Sequence, residues 1–268
     1  MKITRLPRLA ASNYSNSAPL IWSFWHGARK TEVELVTDAA PSKCAEMLQQ
    51  TEVAAALTPV IEFQRIAESL IVPDICVGSK QQVRSVNLVT KGEDLKTAKS
   101  IALDISSKTS VALTSIIFQE FFGKQPEFVS HQPDIEEMLE KHDAALLIGD
   151  PSLRLDAKKY RVFDIVKLWR EFTSCGFVFA FWLVRADEAD KIKHIDFSAA
   201  RDEGLKSIEE IIDFYLPEVL LSREDFRHYL TENIAYTLDE ELLAGLQLYF
   251  KLAYKHGLIE DLKPLKFL

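Results

Sequence analysis

Residues 71–90 read IVPDICVGSKQQVRSVNLVT, and this stretch decides the fold. It holds two strand-like segments, Ile71 to Val77 and Val83 to Thr90, separated only by the polar piece at 78–82. No helix fits between them. On both sides the pattern alternates strand and helix. Two successive extended segments therefore mark where the chain leaves one sheet and begins another.

Upstream, residues 3–11 predict a strand ending in Leu-Ala-Ala, followed by a polar turn from Asn13 to Ser17. Pro19 suits the first turn of a helix that carries Leu20, Ile21, Trp22, Phe24 and Trp25 and stops near Gly27. VELVTD (33–38) alternates as a strand does, and Pro41 opens a second helix through Leu48. VAAALTPV (53–60) is a continuous apolar run, as expected of a buried parallel strand, and a helix is predicted from Ile61 to about Leu70. This β-α-β-α-β-α order predicts a parallel sheet with covering helices. Downstream, SIALDIS (100–106), EFVSH (127–131) and AALLIGD (144–150) read as strands. Helices are predicted at Ser110 to Phe122 and at 134–142. The aromatic run FVFAFWLVR (177–185) carries the chain back, and 198–257 is mostly helical, with Pro217 and Asp239 as breaks or caps.

The expected fold is α/β and two-lobed. Residues 1–85 and 182–268 form a discontinuous first lobe, and 86–181 form the second. A ligand cleft is expected between them, at strand C-termini and helix N-termini. A single doubly wound sheet is the alternative.

Composition narrows the function classes. The 268 residues are 47% hydrophobic and 27% charged, proportions ordinary for a globular protein. Thirty-two Lys and Arg against 40 Asp and Glu give a net charge of −8, and no basic run offsets it. Nucleic-acid binding is disfavoured, because phosphate contacts need a basic face. An anionic small molecule would have to be held locally, by backbone amides and a few side chains. Cys44, Cys76 and Cys175 form no CxxC, which suggests a reducing compartment. No apolar run approaches a membrane span, so the expected location is the cytoplasm. The six histidines show no metal spacing, and HExxH, GxSxG and a Gly-rich phosphate loop are absent.

Two segments stand where a ligand would bind. Asn13-Tyr14-Ser15-Asn16-Ser17-Ala18-Pro19-Leu20 lies between a strand and a helix, whose free amides favour an anion, and Asn16 and Ser17 can add side-chain hydrogen bonds. A simple helix cap explains the same residues. Asp104-Ile105-Ser106-Ser107-Lys108-Thr109-Ser110 has the same position. A cap needs one hydroxyl, and here Ser106, Ser107, Thr109 and Ser110 supply four. Lys108 either helps or points to solvent. Arg84 and Ser85 sit at the first crossing, where Arg84 can pair with a carboxylate. On a regular strand the two would face opposite ways. Asp150 ends a buried strand and either reaches the cleft or caps the turn at Pro151. Asp38 and Asp74 have weaker claims of the same sort. Trp169 is a candidate cleft wall, and the aromatics Phe177, Phe179, Phe181 and Trp182 read as core.

Taken together, NYSNSAPL, Leu57-Thr58-Pro59-Val60-Ile61-Glu62, Val83-Arg84-Ser85-Val86, DISSKTS, Leu147-Ile148-Gly149-Asp150 and Trp169 to Trp182 resemble the chorismate dehydratases of the futalosine-dependent menaquinone pathway. The resemblance covers residues 8–185, in order and with fitting spacing. Three departures stand out: Ser15 replaces an apolar residue, Lys108 replaces an arginine, and Ser174-Cys175-Gly176 replaces Gly-Leu-Pro, which loosens a turn near the cleft. The resemblance implies a periplasmic-binding-protein-like type II fold. It also implies dehydration of chorismate, a small dicarboxylate, to 3-[(1-carboxyvinyl)oxy]benzoate, with no cofactor, no metal, no nucleic-acid partner and no membrane. Asn16 is then the expected catalytic residue. Ser17, Arg84, Ser85, Ser106, Ser107, Thr109, Ser110 and Asp150 are the expected substrate-binding residues. Oligomeric state is left open. Two rivals remain: the paralogous dihydroxynaphthoate-forming enzyme of the same pathway, and a non-catalytic module that binds a small carboxylate.

Overall fold

The computed structural model describes residues 6–38 and 40–268; residues 3–5 of the first expected strand lie outside them. The strands are β1 (Arg8–Ser12), β2 (Glu34–Asp38), β3 (Ala55–Pro59), β4 (Ser69–Ile71), β5 (Val77–Ser79), β6 (Val86–Thr90), β7 (Ser100–Asp104), β8 (Glu127–His131), β9 (Ala144–Ile148), β10 (Arg161–Asp164) and β11 (Phe177–Arg185). They form two sheets. The first runs β2-β1-β3-β11-β4, with β5 also on β11; the second runs β10-β6-β9-β7-β8. In the first, β1 is parallel to β2 and β3, whereas β11 enters antiparallel between β3 and β4. In the second, β7, β8 and β9 are parallel, and β6 runs against β9 and β10.

The helices that follow among the strands are α1 (Ala18–Trp25), α2 (Pro41–Gln49), α3 (Glu62–Arg65), α4 (Lys108–Ile116), α5 (Ile135–Lys141), α6 (Gly149–Leu153) and α7 (Ile165–Thr173). Small residues at the centre of the first sheet, Ala10, Ala11, Ala55 and Ala56, are completely buried and let helices lie close. The helix Phe197–Lys206 packs on α1 at Gly204, where a Cβ would stand 2.0 Å from the Pro19 carbonyl oxygen.

The chain passes between the sheets at 80–85 and again at 174–176. At the first passage Arg84 takes a left-handed backbone, φ 60°. One Asp164 carboxylate oxygen accepts from the amides of Val83 and Arg84, at 2.9 and 2.7 Å. The other caps α7 through Val166 and Lys167. One half-buried side chain thus fixes both a helix start and the first crossing. At the second passage Ser174 is left-handed, φ 59°, as the C-cap of α7. The turn expected to be loose is tied: Ser174 N–H donates to Arg170 O, Cys175 N–H to Thr173 Oγ1, and Trp169 Nε1 to Gly176 O at 3.1 Å. Because β11 already pairs in the first sheet from Phe177 onward, we place the return crossing at 174–176 rather than at 181/182.

Several expected elements change length. The helix expected from Ile61 to Leu70 is only α3, because Glu68 is left-handed (φ 46°) and Ser69–Ile71 joins the sheet edge beside β11. The helix expected from Ser110 starts two residues earlier, with Ser107 as its cap, and relaxes into a π turn at Ile117–Phe121. AALLIGD ends as a strand at Ile148, since Gly149 (φ 66°) turns the chain into α6.

Candidate functional site

A narrow cavity of about 60 Å³ lies between the two sheets. From the first sheet and its turns come Ser12, Tyr14, Asn16, Ser17, Leu57 and Pro59, with Phe179 and Ala180 of β11. From the second come Val86, Ser107, Thr109, Ser110, Ile148 and Gly149. None of the lining residues is Asp, Glu, Lys, Arg or His. An anion here meets neutral hydroxyls, an amide, and the N-terminal ends of α1 and α4, one from each sheet.

The turn before α4 is internally braced. Asp104, fully buried at the end of β7, accepts from the Ser106 hydroxyl, from Ser106 N–H at 2.9 Å and from Ile148 N–H at 3.2 Å. Burial pushes its carboxyl above the ordinary range, and these donors pull it partly back. Ser107 caps α4 by accepting from Ser110 N–H at 3.2 Å. Thr109 Oγ1 accepts from Ile61 N–H of the first sheet at 3.4 Å, and its carbonyl accepts from the buried Tyr249 hydroxyl at 3.1 Å.

The turn before α1 is braced from the opposite side of the cleft. Ser15 N–H donates to Asp150 Oδ2 at 3.1 Å, and its hydroxyl donates to Oδ1. Burial pushes the Asp150 carboxyl up, against the two Ser15 donors. Ser17 Oγ lies 3.3 Å from both Ser12 Oγ and Asn16 Oδ1. Just beyond Ile148, Gly149 N–H donates to the Ser85 carbonyl at 2.7 Å. The Tyr14 ring rests against Gly149, where a Cβ would come within 2.7 Å of a ring carbon.

Of the residues singled out in the sequence, Asn16, Ser17, Ser107, Thr109 and Ser110 line the cavity together. Ser106 does not: its hydroxyl is committed to Asp104. Asp150 stands behind Ser15 rather than on the lining. Ser85 is fully buried next to the lining residue Val86, and its hydroxyl has no hydrogen-bond partner. Arg84 is turned away by its left-handed backbone, and its guanidinium lies 3.7 Å from Asp225. Lys108 pairs instead with the buried Glu62, at 3.7 Å. Trp169 is wholly buried and pins the return turn rather than walling the cleft.

The profile of the menaquinone biosynthesis family matches residues 7–255. The chain belongs to the menaquinone biosynthesis family. Within reach of this family, a chorismate dehydratase from Thermus thermophilus is 28% identical over 260 residues, covering 90% of this chain and 93% of that protein. Solved structures place the fold. A structural-genomics protein from Archaeoglobus fulgidus superposes with a TM-score of 0.78 at 18% identity, covering 96% of this chain and 100% of that one. A Candida albicans gene product with the generic periplasmic binding protein fold gives 0.69 at 16% identity, covering 96% and 91%. The periplasmic aliphatic sulphonate binding protein of Escherichia coli gives 0.67 at 18%, covering 96% and 94%. The menaquinone biosynthesis family member described here therefore has a periplasmic-binding-protein-like fold, as its strand order suggests.

Sequence reasoning passed over Tyr14, Ser12, Gly149 and Phe179. Tyr14 and Ser12 flank Asn13, and their place in a strand-to-helix turn was the available signal. Phe179 sits among residues that are core, and only its facing position on β11 distinguishes it. Among the described residues no helix is long and apolar enough to cross a membrane, and no group of three His, Cys, Asp or Glu could hold a metal ion.

Proposed function

We propose that this protein dehydrates chorismate to 3-[(1-carboxyvinyl)oxy]benzoate as a hydro-lyase of menaquinone biosynthesis, acting in the cytoplasm. The observation that carries the reading is the cavity itself: two helix N-termini from opposite sheets converge on one neutral, hydroxyl-rich space. That arrangement suits a small dicarboxylate with one carboxylate at each end. The family match and the Thermus relative point the same way. Three cysteines without a disulfide suit a reducing compartment.

The chemistry asks little of ionisable side chains. The ring carboxylate acidifies the C3 proton vinylogously, and loss of that proton with the C4 hydroxyl makes the ring aromatic. The protein has to bind two carboxylates, stabilise the dienolate charge that develops on one of them, and align the leaving hydroxyl. Ser107, Thr109, Ser110 and the α4 amides form the oxyanion end. Asn16 and Ser17 face them from the turn before α1 and position the reacting ring edge. A neutral amide is a poor base, so the C3 proton passes to a substrate carboxylate or a water rather than to Asn16.

The test is to incubate purified protein with chorismate and follow products by chromatography and ultraviolet absorbance. Formation of the enolpyruvyl-oxybenzoate faster than in a protein-free control supports the reading. Unchanged chorismate, with saturable binding to a folded protein, replaces it with the carboxylate-binding module.

A further inference from the structure

Behind the cavity lies a group of buried hydroxyls that the chemistry above does not use. The helix Arg223–His228 opens into a π turn, Tyr229–Asn233, and such turns are frequent at functional positions. Tyr229 begins that turn, is fully buried, and stacks on Phe226 with ring centroids 6.1 Å apart. Its hydroxyl lies beside the side chains of Ser85, Asn16 and Ser15. Neither the Tyr229 hydroxyl nor that of Ser85 has a hydrogen-bond partner, and the buried Tyr236 hydroxyl next to Tyr229 has none either. A phenylalanine at 229 would supply the same ring to the core without the cost of a desolvated hydroxyl. The arrangement makes physical sense once something in the cavity draws these hydroxyls into a network. Asn16 is the cavity-lining residue that the Tyr229 hydroxyl adjoins.

We propose that Tyr229 is a positioning residue for the dehydration, its hydroxyl acting with that of Ser85 to hold the Asn16 amide in register with the substrate edge that loses water. The inference rests on the chorismate reading and deepens it. Burial, and next the Asp150 charge, push the Tyr229 phenol well above its ordinary range, so it stays protonated and serves only as a donor. No proton is transferred to or from it. The C3–H and C4–O bonds break, the C3=C4 bond forms, and the proton and hydroxide leave as one water.

The experiment compares wild type, Tyr229→Phe, Ser85→Ala and the double variant in steady-state kinetics with chorismate, together with thermal melts. Tyr229→Phe is expected to lower kcat roughly 10- to 100-fold, change KM less than about threefold, leave the shape of the pH profile unaltered and leave the melting temperature unchanged or raised. The double variant is expected to lose no more than the larger single loss, because the two hydroxyls act through the same amide. A Tyr229→Phe protein with wild-type kcat overturns the inference while leaving the chorismate reading intact. So does one that fails to fold or whose loss of activity tracks a fall in melting temperature, because the hydroxyl is then structural. Independent, multiplicative losses in the double variant overturn it as well. A wild-type protein that does not turn over chorismate overturns the reading and the inference together.

Discussion

The turns at 13–20 and 104–110 hold matching places, each after a strand and before a helix, and each offers serines to the same cavity, yet their polar groups are committed differently. In the second turn the brace is local: Asp104 holds Ser106, and Ser107 caps its own helix. In the first turn the brace comes from the other sheet, through Ser15 and Asp150. One end of the site is therefore largely preformed within its sheet, although Thr109 and Lys108 also reach Ile61, Tyr249 and Glu62 across the cleft, and the other is complete only when the two sheets are together. Binding proteins with a hinged cleft gain from that asymmetry, since a ligand can dock on the finished end before the second arrives.

The comparison can be broken most severely at Asn16. Asn16→Ala is expected to lower kcat at least about 100-fold with little change in stability, measured by chorismate turnover and a thermal melt. A variant with unchanged turnover would remove the first turn from the chemistry. At the preformed end, Ser107→Ala should act on both scales at once. Losing the cap costs about 1 kcal/mol of unfolding free energy, and KM should rise roughly tenfold as the α4 end loses a donor. Chemical denaturation and steady-state kinetics read the two effects separately.

Asp150→Asn sharpens the contrast through pH. The folded-state pKa of Asp150 lies above its ordinary value near 3.8. Between those values the folded protein binds more protons than the unfolded chain, so the Asp150 contribution to stability falls as pH rises. The variant lacks that loss. The difference in unfolding free energy, variant minus wild type, should climb from about pH 4 through the raised value and then level off, as followed by denaturation at a series of pH values. The smallest effect is expected at the return turn. Ser174→Gly relieves a left-handed backbone and should add about 0.5 kcal/mol, visible as a slightly higher denaturation midpoint.

Much of this architecture is legible in the residues alone. The two extended segments of 71–90 give away the crossing, because no helix can be built from VGSKQQV. Pro19, Pro41 and the four hydroxyls of DISSKTS locate helix starts and hence the cavity. What is hidden depends on backbone sign and on partners far along the chain. Arg84 looks like a carboxylate ligand until a left-handed residue turns it toward Asp225. Asp150 looks like a ligand until it is seen to hold Ser15. Asp164 drew no notice, though it anchors the first crossing, since its acceptors' work is with amides 80 residues away. Ser15 read as an oddity in its motif, and its meaning lies in a residue 135 positions on.

The contact between Gly149 and the Tyr14 ring has a mechanical consequence. With a Cβ unable to fit in that space, the ring and the bare backbone act as a gauge for how near the two halves can come. The missing carbon sets the gap. Any side chain at 149 would press on the Tyr14 ring and act as a wedge against that approach.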